Sequence, residues 1–312
     1  MIRISVVIPL YNKKRTISRA IESVLAQTKL PDEVIVIDDG SSDGSGEVVE
    51  GIRNHRLKLV KQENRGVSAA RNRGVALSKG NFIAFLDADD VWKPIFLEIM
   101  HDLIKRFPKA GAYLTNYEVV NYLGARQVLH NNILADGGYA GLINFFKVGF
   151  GGCVTASSIV LQKKIFLEVG GFPEEEHMFE DYDVWVRVAL RYPIAWSREI
   201  SCTIFQNADN HAWSRVTLDK EPKFLETVRN AIQMGLVTPE LARDMEEYAA
   251  YFHIVAARHF LLQGKREMAR TMLAFARDTI DHKKWWWKVK ILSMLPDAGR
   301  VLLWNIYTNL KN

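Results

Sequence analysis

Phe82-Ile83-Ala84-Phe85-Leu86-Asp87-Ala88-Asp89-Asp90 is an apolar run that ends abruptly in three carboxylates. A short continuous apolar run of this kind reads as a strand of a parallel sheet buried on both faces. Its acids then stand at the strand's carboxyl end, where open α/β sheets bind their ligands and where a phosphate-bound metal can be held. The pattern has a precedent earlier in the chain. Val34-Ile35-Val36-Ile37 runs straight into Asp38-Asp39-Gly40-Ser41-Ser42-Asp43-Gly44, which sets a second acidic loop on the same edge. Two acidic strand ends are harder to explain as scaffolding than one.

Outward from this edge the chain alternates. Residues 4–8 form a short apolar run closed by Pro9, and a loop through Leu10, Tyr11, Asn12, Lys13 and Lys14 follows. Ile17, Ile21, Val24 and Leu25 then recur at helical spacing, which predicts a helix with one apolar stripe against the sheet. Residues 57–60 predict a third strand. The segment from Glu63 to Gly74 reads as a loop entering a helix, whose small residues permit close approach and whose Arg71 supplies planar donors. Strands and helices alternating to about residue 120 call for a doubly wound, mostly parallel sheet.

Bulk properties set the outer bounds. The 312 residues can bury a large core, and 48% apolar with 25% charged residues is an ordinary soluble composition. A net charge of +5 permits an anionic partner without naming it. Two cysteines, Cys153 and Cys202, are too few for a disulfide framework or a thiolate zinc site. The opening residues enter a strand at once and lack a signal peptide's apolar centre. No apolar run reaches the roughly 18 residues of a spanning helix. A cytoplasmic protein is the expectation.

Residues 137–152 are rich in glycine and aromatics and read as a section covering a site. Residues 157–161 predict another strand, residues 163–169 a short helix stopped by Gly170-Gly171, and Pro173 opens an acidic loop. That loop ends in Glu180-Asp181 at the start of a helix. Beyond about Asp219 strand signals cease. Residues 248–262 and 267–280, hinged at Gly264, predict a helical hairpin like one tetratricopeptide unit, which needs a further surface to pack on. The tail carries Lys283-Lys284-Trp285-Trp286-Trp287-Lys288, a composition that suits either internal packing or a membrane interface.

Taken in order, Pro9-Leu10-Tyr11-Asn12, Asp38-Asp39-Gly40-Ser41, Asn64-Arg65-Gly66, Ala70-Arg71-Asn72, Leu86-Asp87-Ala88-Asp89-Asp90 and Glu180-Asp181 resemble the family 2 glycosyltransferases over about residues 3–215. The resemblance implies an α/β GT-A fold, with a mostly parallel Rossmann-like sheet flanked by helices over residues 1–218. An all-helical region over 219–312 follows from the loss of strand signals. The resemblance implies an inverting transfer of a single sugar from a nucleotide-diphosphate donor, a UDP-sugar, to a glycan or polyprenyl-linked acceptor in cell-surface polysaccharide synthesis. It also implies Mn2+ or Mg2+. Pro9, Tyr11, Asn12, Asp38, Asp39, Asn64, Gly66, Arg71, Asp87 and Ala88 would surround the donor: Tyr11 against the base, Asp39 accepting from it, Arg71 on base or phosphates, Asp87 on ribose or sugar. Asp89 would ligate the metal, with His211 a second candidate. Asp181 would be the catalytic base, and Glu180 and Trp185 would stand on the acceptor side.

The chemistry asks for these residue types. Expelling a nucleoside diphosphate needs a hard cation held by oxygen ligands, and a hydroxyl nucleophile needs a carboxylate to remove its proton. One base on the face opposite the leaving group inverts configuration. The Gln-x-x-Arg-Trp segment of processive synthases is missing, which points to transfer of one or a few sugars. Each residue also has a plainer reading: Asp87 and Asp89 as a strand end and cap, Asp38-Asp39 as a turn, Arg71, Asn72 and Arg73 as surface, Asp181 as a helix cap, His211 as a solvated loop residue, Trp185 as core. A catalytically silent nucleotide-sugar or glycan binding subunit, acting through the helical region, is the alternative; a nucleotidyltransferase lacks its glycine-rich basic loop here. No nucleic acid is implied, and peripheral contact of residues 282–312 with the inner membrane face and a homo-oligomer are both left open.

Overall fold

The computed structural model describes residues 1–121, 123–128, 139–148, 154–176, 178–206 and 219–295. It divides into two compact units, residues 1–215 and 216–312.

In the first unit the strands β1 (Ile4–Leu10), β2 (Glu33–Asp39), β3 (Leu57–Gln62) and β4 (Phe82–Phe85) pair in the order β3-β2-β1-β4, all parallel. Their crossovers are the helices α1 (Ile17–Leu25), α2 (Ser45–Glu50) and α3 (Val67–Leu77). The predicted stripe of α1 is buried through Ile17, Ala20, Ile21 and Val24. Burying a large aliphatic side chain is worth about 1.5–3 kcal/mol, so this face alone fixes α1 on the sheet. Helix α3 uses small residues instead: a Cβ on Gly74 would run into Val7 Cγ1. That closeness lets Arg71 on α3 reach the end of the sheet. Pro9 is tolerated in a central strand because β4 has ended opposite Val7, leaving no ladder partner on that side for an N–H.

The second half of the sheet is built differently. It comprises β5 (Val91–Trp92), β6 (Ala112–Val120), β7 (Arg126–Val128), β8 (Ala140–Ile143), β9 (Ile159–Gln162) and β10 (Ile194–Phe205). Strand β9 runs antiparallel between β4 and β6, and β6 pairs β10 in parallel. Strands β5, β7 and β8 add antiparallel edges. The α/β class with flanking helices is as expected. The sheet is mixed rather than mostly parallel, because β9 enters antiparallel between β4 and β6 and the strands β5, β7 and β8 pair antiparallel with β10 and β6. Helices α4 (Phe96–Arg106), α5 (Phe145–Val148), α6 (Lys163–Glu168) and α7 (Glu180–Ala189) complete the unit. The described part of residues 137–152 is thus a short strand and one helical turn.

The second unit is helical: α8 (Lys223–Gln233), α9 (Pro239–Leu262), α10 (Arg266–Phe275) and α11 (Lys283–Met294). Thr238 caps α9, accepting from the Leu241 N–H, with Pro239 next to it. The expected hairpin is α9 and α10, joined at Gly264 with φ 76°. It does not stand alone. Phe224 of α8 packs edge-on to Tyr248 and Phe252, and Trp286 of α11 donates its Nε1–H to the Leu273 carbonyl at 2.7 Å. Among the described residues no helix is long and apolar enough to cross a membrane.

Candidate active site

The carboxyl ends of β1, β2 and β4 bring the sequence motifs to one edge. The loop after β1 is stitched to the loop after β2. The Asn12 N–H donates to Ser41 Oγ at 3.0 Å and the Ser42 N–H to Asn12 Oδ1 at 2.9 Å. The Lys13 and Lys14 N–H groups donate to Ser45 Oγ and Asp43 Oδ2, each at 2.9 Å. Asn12 takes the left-handed backbone, φ 52°, which Asn tolerates better than most residues. A cavity of about 390 Å3 opens here, with Lys13, Lys14 and Arg15 in its wall. Tyr11 remains 45% exposed.

Asp38 and Asp39 are both buried, and each shapes a loop. Asp38 Oδ1 accepts from the Ser41 N–H at 3.0 Å. Asp39 accepts from Gln62 Nε2 at 2.6 Å and from the Arg65 and Gly66 N–H groups at 2.9 and 2.8 Å. It therefore folds the Asn64-Arg65-Gly66 segment over the sheet edge. Gly40, at φ 77°, lies where a Cβ would stand 3.0 Å from the Asn64 N, so the two loops meet backbone to backbone.

The three acids after β4 part ways. Asp87 Oδ1 accepts from Arg71 Nη2 at 2.7 Å, and Asp89 Oδ2 accepts from Lys13 Nζ at 2.6 Å. Asp90 turns inward, accepting from Ser157 Oγ at 2.6 Å and from the Phe205 N–H at 3.3 Å. Burial, with Asp89 and Asp87 close by, pushes the Asp90 carboxyl well above the usual range. Ala88 between them is buried. Two surface-facing carboxylates of the three, Asp87 and Asp89, are the hard oxygen ligands that would suit a magnesium or manganese ion. Asp89 already holds a cationic partner in Lys13, so the position accommodates positive charge. No cluster of three or more His, Cys, Asp or Glu side chains that could hold a metal ion occurs among the described residues.

Arg71 joins this edge to the start of α7. Its Nη1 donates to Glu180 Oε1 at 2.9 Å while Nη2 holds Asp87, and its face lies over the Phe172 ring at 5.2 Å. Burial opposes its charge, yet Asp87, Glu180 and Asp181 outweigh burial and keep the guanidinium firmly protonated. Next to Glu180, Asp181 accepts the Tyr182 N–H at 2.9 Å. Burial first, then the Glu180 charge, raises the Asp181 pKa to about 7, against the opposing pull of Arg71. Phe179, which opens α7, takes the left-handed conformation at φ 62°.

Several placements depart from the plain sequence reading. Asn72, expected at the surface, exchanges two hydrogen bonds with the Phe172 backbone, each at 2.9 Å, and so pins the loop before α7. Trp185, expected on the acceptor side, is 1% exposed and packs against Phe172 beneath the site, so it offers an acceptor no surface. Its place on the inner stripe of α7 with Val184 and Val188 is the reason. Lys13 and Ser157 carry contacts no motif announced; a loop lysine and a serine before a strand are ordinary in sequence. His211 falls outside the described residues.

Comparison with known proteins agrees with this geometry. The family described as Glycosyl transferase family 2 matches residues 5–165. The Escherichia coli UDP-Glc:alpha-D-GlcNAc-diphosphoundecaprenol beta-1,3-glucosyltransferase WfgD is 32% identical over 193 residues, covering 59% of this chain and 69% of its own. The Rhizobium meliloti succinoglycan biosynthesis protein ExoO is 39% identical over 124 residues, 39% of this chain and 35% of that one. In other curated relatives the matched segment spans 20% to 38% of their length. S. aureus TarS 1-349, solved in complex with UDP-GlcNAc, superimposes with a TM-score of 0.64 at 20% identity, covering 94% of this chain and 82% of that one, and shares the fold. With the family pattern covering more than half of the chain and spanning the strand-end motifs, the chain belongs to the family 2 glycosyltransferases.

Proposed function

We propose that this transferase moves a single hexosyl or N-acetylhexosaminyl group, with inversion, from a UDP-sugar to a glycan or polyprenyl-linked acceptor in polysaccharide synthesis. The observation that carries the reading is the join made by Arg71. One buried guanidinium holds Asp87, on the donor edge, and Glu180, beside an Asp181 carboxyl that titrates near 7. A base with that pKa is poised to take a proton from an acceptor hydroxyl at neutral pH. A single displacement by the hydroxyl so activated inverts the anomeric centre.

The printed names of two relatives support the donor class and the acceptor class: a UDP-glucose enzyme acting on a diphosphoundecaprenol-linked sugar, and a succinoglycan biosynthesis protein. Asp39, Asn64 and Gly66 would wall the base, and the exposed Tyr11 would cover it. Asp89 would hold Mn2+ or Mg2+, which when bound neutralises charge on the departing diphosphate, and Asp87 would face the ribose or donor sugar. Lys13 adds a fixed positive charge on the same side. A polyprenyl-linked acceptor would place the work at the inner face of the cytoplasmic membrane.

The test has two stages. UDP, GDP, CDP and dTDP are screened by thermal shift with and without manganese; a ligand at 100 times its dissociation constant adds about 2.7 kcal/mol. UDP alone is expected to give a metal-enhanced shift. Asp181→Asn is then expected to keep that shift and to lower the rate of sugar transfer by about 10²–10⁴-fold. Transfer at the wild-type rate would remove Asp181 as the base. A donor-induced shift without transfer to any glycan would leave a binding subunit.

A further inference from the structure

We infer that the outer face of α11 is a docking surface for an anionic lipid bilayer. The inference stands on the chemistry of α11 and not on the assignments of donor or base. Three consecutive tryptophans in sequence leave packing and membrane contact equally open, and the fold separates them. Trp286 goes inward, 8% exposed and hydrogen-bonded to Leu273, with Val289 and Ser293 buried on the same side. Trp285 leans on Tyr251, ring centres 5.2 Å apart. Trp287 turns outward at 52% exposure, followed by Ile291 at 55% and Met294 at 63%. Their spacing of four and then three residues stacks them on successive turns of one face.

Single exposed apolar residues are normal on a protein surface. This face is different in composition. The exposed positions of α11 are Lys283, Lys284, Trp287, Lys288, Ile291 and Met294, and the helix Lys283–Met294 contains no acid. A helix with lysines around a tryptophan-led apolar stripe lies in a bilayer interface, apolar side down, with the charges at the headgroups. Lysine stems extend their charge outward from such a stripe, and an indole tolerates the boundary between water and acyl chains. The alternatives fit less well. A second copy of the chain would bring lysines against lysines across a two-fold axis. A nucleic acid would meet the lysines but leave Ile291 and Met294 without a partner.

The experiment is co-sedimentation of the full chain with phosphatidylcholine vesicles, with and without phosphatidylglycerol. Binding is expected to need phosphatidylglycerol and to weaken with salt, by about fivefold for each lysine neutralised. The double change Trp287→Ser with Ile291→Ser is expected to lower partitioning at least about tenfold while leaving the helical circular dichroism intact. Equal sedimentation with both vesicle types, or unchanged partitioning of the double variant, overturns the proposal. A dimer in sedimentation velocity that the same variant dissolves, without vesicle binding, assigns the face to a second copy and also overturns it. If the variant does not fold, the lipid and salt dependence of the unaltered chain decides. Melting shifts with UDP, read on the same preparations, keep a failure here distinct from a failure of the donor assignment.

Discussion

Each unit holds a partly buried charged network, and the two are balanced in opposite ways. At the sheet edge one arginine, Arg71, serves three acids, Asp87, Glu180 and Asp181. In the helical unit one acid, Glu221, accepts from Arg229 through both oxygens at 2.9 and 3.0 Å and lies 2.8 Å from His253 Nε2. The consequences diverge. Burial and excess negative charge raise Asp181 to about 7, whereas hydrogen bonds from His253 and Arg229 outweigh burial and lower Glu221 to about 2. A network short of cations leaves a carboxyl able to exchange a proton near neutrality; a network rich in donors locks its carboxylate. The first suits chemistry and the second suits holding helices together.

The largest effect that would break this contrast is at Arg71. Arg71→Met leaves Asp87 and Glu180 without their partner in a buried setting, and is expected to cost about 3–5 kcal/mol in urea unfolding of the first unit. A loss near zero would mean that the acids find other partners and that the network does not organise the edge. Glu221→Gln is the matching change in the helical unit, with an expected loss of about 1.5–3 kcal/mol.

The pH slopes sharpen the comparison further. Asp181 has a raised folded pKa, so its contribution to stability is complete below the unfolded value of 3.8 and is lost as pH rises through about 7. Glu221 has a lowered one, so its contribution is present above 4.5 and is lost as pH falls toward about 2. Hydrogen exchange measured on α7 and α9 separately is expected to show protection falling with pH in the first and rising in the second. Asp181→Asn and Glu221→Gln should each flatten only their own profile. With Asp181 as the proposed base, the rate of transfer should rise with pH through about 7 even as the stability of α7 declines.

The smallest expected effect lies at Asn72. Asn72→Ala removes both bonds to Phe172 and should cost about 1 kcal/mol, seen as faster exchange in residues 171–174 with α9 unchanged. A global loss of several kcal/mol would show that the loop before α7 is part of the core rather than a support for the site.

Much of the site was legible because strand ends are. The runs Val34 to Ile37 and Phe82 to Phe85 advertise burial by composition, and the acids that follow can only stand at a carboxyl edge. Trp185 was less legible, since a tryptophan one turn into a helix has the same letters whether it faces core or cleft. Lys13 and Asn72 were hidden for another reason: their partners, Asp89 and Phe172, are 76 and 100 residues away. The second half of the sheet escaped the alternation argument because β9 is inserted antiparallel between β4 and β6, a long-range pairing that local pattern does not announce.

Local patterning by itself determined strands β1 to β4, helices α1 and α3 and the α9–α10 hairpin, that two acidic loops share one edge, and that a carboxylate pair opens a later helix. These follow from side-chain periodicity and turn chemistry, which act over a few residues. The tertiary structure decided which acid is shared with which cation, which of three tryptophans faces water, and which carboxyl titrates near neutrality. Those outcomes depend on burial and on charges brought together from distant segments, and Coulomb and desolvation energies are set by spatial distance rather than by distance along the chain.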